Sequence, residues 1–78
     1  MVRPTRVTND IRRLRFAHGE MTQADLAERV GVTRQTIIAI EQRRYSPSLE
    51  MAFQIAHVFD VHLDDVFQHP TTTEKEIS

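Results

Sequence analysis

Residues 8–68 predict an all-α domain of five short helices. Three observations carry that reading. Apolar residues recur at helical spacing. Thr22, Thr33 and Ser48 stand just before apolar runs, where a hydroxyl can cap a helix start, and Gly19 and Gly31 stand just after them, where glycine turns left-handed at little cost. No segment follows the two-residue period of a strand with any strength, and only the tail leaves room for a short one.

The first helix is expected from Thr8 or Asn9 to His18, with Val7, Ile11, Leu14 and His18 in register and Gly19 ending it. The second begins at Thr22, with Asp25 three residues on as a weak capping box, and buries Leu26, Ala27 and Val30 before Gly31 stops it. Thr33 caps the third, in which Ile37 and Ile40 face inward. Tyr45-Ser46-Pro47 breaks the chain. Ser48 then caps a fourth helix carrying Leu49, Ala52, Phe53, Ile55, Ala56 and Phe59. The last is one or two turns, Leu63 to about Phe67, with Asp64 and Asp65 near its positive end. The arm at 1–7 and the tail at 69–78 lack apolar periodicity and read as flexible or partner-ordered.

Composition narrows the function classes. A chain of 78 residues is one domain with a small core, marginal unless well packed or associated with another chain. Without cysteine there is no disulfide framework and no thiolate metal site, which fits a reducing cytoplasm. No apolar run approaches the roughly 20 residues of a membrane span, so no membrane partner is expected. Met1 to His18 is basic throughout and lacks the apolar stretch of a secretory signal. Two glycines argue against a phosphate-cradling loop. His18, His57, His62 and His69 have no metal-ligand spacing, the side chains of Asp64 and Asp65 diverge on a helix, and Ser48 serves as a cap, so no metal, cofactor or catalytic set is expected.

The net charge of −1 conceals an asymmetry. Residues 1–44 hold nine arginines against five acids, and residues 45–78 hold Lys75 against six acids, which gives +4 and −5. A chain that coats nucleic acid indiscriminately is basic overall, whereas one presenting a single face to it needs only that half basic.

The informative stretch is QADLAERVGVTRQTIIAIE, Gln23 to Glu41: two helices joined by a turn around Gly31. Small Ala27 allows a close crossing, and Val32, Ile37 and Ile40 lock the pair. At about 100° per residue, Ile37, Ile40 and Glu41 fall on one side of the third helix. Arg34, Gln35, Ile38 and Gln42 fall on the other, with Ala39 beside them. Arginine can bond guanine O6 and N7, glutamine can bond adenine N6 and N7, and an apolar Ile38 suits a thymine methyl. Arg34, Gln35 and Ile38 are therefore the candidate base-contacting residues. Gln23, Thr33 and Thr36 at helix starts, and Gln42, Arg43, Arg44 and Tyr45 after the third helix, are candidates for the phosphate backbone. Arg12 and Arg13 read as ordinary surface charge.

The words TQADLAERVGVTRQTI, AIE, RYSPSLEMAFQIAHVF and VHLDDVF resemble the Cro-like, xenobiotic-response-element (XRE) family of helix-turn-helix regulators. Within it they are similar to the compact bacterial group that includes the cytolysin-operon repressor of enterococci. The resemblance spans Thr8 to Phe67 and implies a five-helix, lambda-repressor-like fold. It implies that Gln23 clamps a phosphate, that Arg34, Gln35 and Thr36 open the recognition helix, and that Arg15 and Glu41 form a buried ion pair tying the first helix to the third. Three positions depart from the family pattern: Arg43 stands where glycine is common, His62 where a serine cap is usual, and Ala39 where some relatives carry a polar base reader. Gly19-Glu20 also lengthens the first loop.

Val58, Val61, Leu63, Val66 and Phe67 exceed what so short a domain is expected to bury, and read as a symmetric dimer seam. The resemblance supports a dimer through the fifth helix and the tail, with Gln68 onward a candidate for a small sheet across the axis. The resulting expectation is a homodimeric regulator, a repressor, reading an inverted repeat in double-stranded operator DNA and acting at the nucleoid in the cytoplasm. The competing reading is an antitoxin-like interaction module whose main partner is an unidentified protein. A small enzyme has no supporting residues.

Overall fold

Caps and left-handed turns divide the chain. The computed structural model describes residues 6–44 and 46–69. In chain order it contains β1 (Thr8–Asn9), α1 (Ile11–Ala17), α2 (Gln23–Val30), α3 (Arg34–Glu41), α4 (Leu49–Phe59), α5 (Leu63–Val66) and β2 (Phe67–Gln68). Tyr45, most of the N-terminal arm and most of the tail lie outside the described residues.

Each expected hydroxyl cap forms. Thr22 Oγ1 accepts from Asp25 N at 3.0 Å while Asp25 Oδ2 accepts from Thr22 N at 3.3 Å, closing the capping box. Thr33 Oγ1 accepts from Thr36 N at 3.2 Å, and Ser48 Oγ from Met51 N at 3.1 Å. At α5, where His62 stands at the cap, Asp65 Oδ2 accepts from the His62 backbone N–H at 3.1 Å, so the acid holds the start of this short helix.

The ends of α2, α3 and α4 are closed by residues with positive φ. Gly31 sits at φ 88°, and the next amide, Val32 N, reaches back to Ala27 O at 3.0 Å. A Cβ at Gly31 would meet nothing within 4 Å, so the requirement for glycine there is conformational. Arg43 and Asp60 end α3 and α4 in the same way without being glycine, at φ 61° and 57°. Arg43 N bonds Ile40 O and Arg44 N bonds Ala39 O, the paired bonds of a Schellman turn. An arginine in that conformation costs on the order of 1 kcal/mol.

The core draws on every helix. Ile11, Leu26, Ile37, Ile55 and Val66 are completely buried, with Phe59 and Ile40 nearly so. Each large side chain so removed from water contributes roughly 1.5–3 kcal/mol. Ala27 is 3% exposed, on the buried face of α2 with Leu26 and Val30.

Two expectations are corrected. Thr8 and Asn9 do not begin α1; they form β1, and α1 starts at Ile11 after Asp10. The tail strand exists, and it pairs within the chain. β2 runs antiparallel to β1 with Thr8 opposite Gln68 and Asn9 opposite Phe67, and Asp10 N bonds Val66 O at 2.9 Å beside them. Val66 is 0% exposed, at the centre of the protomer, and so cannot form a seam with another chain. Val58, Val61 and Phe67 are half-buried against the same core.

Candidate nucleic-acid interface

Two walls of α3 face different surroundings. Ile37 and Ile40 enter the core, and Arg34, Gln35 and Gln42 lie exposed on the outside. Thr36, Ile38 and Ala39 are half-buried between them. The helix thus presents a polar, cationic edge that begins with Arg34-Gln35 at its N-terminus and ends at Gln42. Ile38 was expected to be exposed; it is half-buried. Thr33 and Thr36 hydroxyls lie 3.1 Å apart at the helix start. Beyond the helix, Arg43 and Arg44 are exposed. Neither they nor Arg34 make an ion pair among the described residues.

Under this surface runs a buried polar network. Arg15 Nε donates to Glu41 Oε2 at 2.7 Å and its Nη2 to Glu41 Oε1 at 3.2 Å, a bidentate pair whose side chains are 9% and 10% exposed. Arg15 Nη1 donates to Met21 O at 2.9 Å, so each nitrogen of the guanidinium has a partner. Glu41 Oε1 also accepts from Gln23 Nε2 at 3.2 Å. One carboxylate therefore ties α1, the loop before α2, the first residue of α2 and the end of α3 together. Such a pair fixes geometry more than it adds net stability, because both charges must be stripped of water. It leaves Gln23 at the surface with its amide carbonyl oxygen and second N–H available to a ligand.

Two residues at this face lay outside the sequence expectations. Asn9 joins α1 to α3: its Nδ2 donates to Ile40 O at 3.0 Å, and its Oδ1 accepts from Ile11 N at 3.2 Å, in place of a side-chain cap by Asp10. An Asn two residues before an apolar helix start was the available signal, since Asn and Asp are both cap formers. Arg12 lines two depressions that also hold Gln23; one continues to Arg34 and the other to Asn9 and Gln42. Nothing in the local pattern separates it from Arg13.

A second surface feature, set between α4, α5 and β2, is an apolar groove. It is lined by Leu49, Ala52, Leu63 and Phe67, with Pro47 and Val7 at its margin. Leu49 is 68% exposed, and Phe53, one turn along α4, is 45% exposed. Among the described residues no three His, Cys, Asp or Glu side chains cluster as metal ligands, and no helix is long and apolar enough to cross a membrane.

The chain is similar to proteins whose descriptions agree with this geometry. A helix-turn-helix family model matches residues 11–66. An uncharacterized HTH-type transcriptional regulator of Methanocaldococcus jannaschii is 51% identical over 59 residues, covering 76% of this chain and 88% of the relative. Another, from Methanothermobacter thermautotrophicus, is 60% identical over 48 residues, 60% of this chain and 70% of that one. A crystal structure of a Bacteroides fragilis protein superposes with a TM-score of 0.69 at 26% identity, over 80% of this chain and 98% of the other. A hypothetical transcription factor from Neisseria shares the fold, with a TM-score of 0.67 at 24% identity over 85% and 75% of the two chains. With α2 packed on α3, the turn at Gly31 between them and a polar outer face on α3, the chain belongs to the XRE-type helix-turn-helix family of DNA-binding transcriptional regulators.

Proposed function

We propose that the protein is a homodimeric, sequence-specific repressor that reads an inverted repeat with α3 in the major groove, acting on the nucleoid in the cytoplasm. The observation that carries this reading is the division of α3. Its inner wall is locked by Ile37, Ile40 and the Arg15–Glu41 pair, and its outer wall offers Arg34 and Gln35 on a rigid support. Arg34 and Gln35 contact base edges, with Ile38 beside them. Gln23, Thr33, Thr36, Gln42, Arg43, Arg44 and Tyr45 hold the sugar–phosphate backbone on either side. Arginine-to-phosphate contacts supply much of the affinity, so binding falls steeply with salt.

Two copies place their α3 helices about 34 Å apart, one turn of duplex. The seam proposed here is this groove and the α4 surface next to it: Leu63 and Phe67 stay in it, Leu49 joins them in the groove, and exposed Phe53, one turn along α4, extends it. Val58 and Val61, half-buried against the core, remain candidates for the seam with less surface to offer it. The same exposed apolar groove also favours a second reading, an antitoxin-like module with a protein partner. Footprinting on DNA beside its own gene, with the mass in solution measured on the same preparation, tests both. The expected result is a dimer protecting two half-sites in successive major grooves. A monomer recovered in fixed ratio with another protein, and without protected DNA, would favour the second reading.

A further inference from the structure

Arg12 and Arg13 are adjacent on α1, yet the fold uses them differently. Arg13 Nη2 lies 3.3 Å from Asp10 Oδ2 in an exposed pair, and Arg13 lines neither of the depressions that contain Gln23. Arg12 makes no ion pair among the described residues. Its guanidinium carbon instead stands 5.6 Å from the centre of the Phe16 ring. That ring is 53% exposed and has a second cation, Arg15, at 5.7 Å. Arg15 is held by Glu41, so the ring lies beside a fixed cation and gives Arg12 a platform. The direction of that platform matters. Arg12 lines both depressions that contain Gln23, between Arg34 on one side and Asn9 and Gln42 on the other.

We propose that Arg12 is a DNA-phosphate contact outside the helix-turn-helix unit, and that Phe16 is its positioning residue. The proposal rests on the reading of α3 as the duplex-facing helix. A guanidinium without a carboxylate partner, at the edge of a cationic face, matches a phosphate with two parallel N–H donors. Holding it on a ring before binding reduces the freedom lost when it docks. Because phosphates are the same in every sequence, the contact strengthens binding without selecting bases.

The test uses two duplexes, one recovered by in vitro selection with the wild-type chain and one of random sequence, each titrated across a salt series. Arg12→Ala is expected to weaken both by roughly fivefold and to make the salt dependence shallower by about one unit of slope. Arg12→Lys keeps the slope, and Arg13→Ala leaves affinity nearly unchanged. Phe16→Leu weakens binding in the wild-type background, has no further effect beside Arg12→Ala, and is rescued by Phe16→Tyr. Equal losses from Arg12→Ala and Arg13→Ala, or an unchanged slope, overturn the Arg12 assignment. A Phe16→Leu loss that persists beside Arg12→Ala overturns the positioning role. If wild type binds neither duplex, the reading of α3 falls as well. If wild type binds, Arg34→Ala separates selected from random DNA and Arg12→Ala changes nothing, only the present inference is lost.

Discussion

The α2–α3 unit and the α4–α5–β2 half are both built on a buried apolar stripe, but they treat their outer surfaces in opposite ways. The outer wall of α3 is polar, anchored from beneath by a bidentate Arg15–Glu41 pair, and flanked by Arg34, Arg43 and Arg44. The outer wall of α4 leaves Leu49 and Phe53 exposed above a groove, in a half of the chain with six acids and one lysine. The difference teaches a division of labour. A surface that must meet a charged, hydrated duplex spends buried polar groups on rigidity, while a surface suited to another protein keeps apolar area open to water.

The sharpest way to break the comparison is at Glu41. Glu41→Ala leaves Arg15 buried without its carboxylate, and is expected to cost about 3–5 kcal/mol in denaturant unfolding. It also releases Gln23, so duplex affinity falls further than the loss of stability explains. Arg15→Met with Glu41→Leu removes both charges and is expected to recover most of the stability but not the placement of Gln23. If the single and double variants unfold alike, the network is not what holds the α3 wall.

The groove side is tested by Phe53→Asp. An exposed residue tolerates the change, so the protomer stays folded, and association of copies weakens by about 2 kcal/mol or more in sedimentation equilibrium. Affinity for a two-half-site duplex falls with it, while affinity for a single half-site does not. Unchanged association would move the seam elsewhere.

The smallest expected effect sharpens the comparison at its boundary. Arg43 holds a left-handed backbone at φ 61° that glycine adopts freely. Arg43→Gly is expected to stabilise the fold by about 1 kcal/mol in thermal unfolding while weakening all duplexes alike. A variant more stable and equally tight on DNA would show that the arginine serves no backbone contact.

Local chemistry made most of the fold legible. Thr22, Thr33 and Ser48 announced three helix starts, Gly31 announced the turn, and the period of Leu26, Val30, Ile37 and Ile40 set their inner faces. What stayed hidden depends on residues distant in the chain. Thr8 reads as a helix start until Gln68, 60 positions away, is laid beside it. The apolar surplus near the C-terminus was visible, but not its division. Val66 fills the core and Leu49 faces water, because composition records how much apolar area exists and not which side of a short helix the rest of the chain covers. The site followed the same pattern. Arg34 and Gln35 were placed by helical geometry and the Arg15–Glu41 pair by family resemblance, Asn9 left a cap-former signal that went unread, and only tertiary packing sets Arg12 apart from Arg13.

The most direct measurement is the affinity of Arg34→Ala for selected and for random duplex at one salt concentration. If α3 reads bases from a rigid wall, the variant loses roughly 1–3 kcal/mol on the selected duplex and little on the random one. Equal losses on both duplexes would show that Arg34 only neutralises phosphate, and would contradict the account of α3 as the reading element.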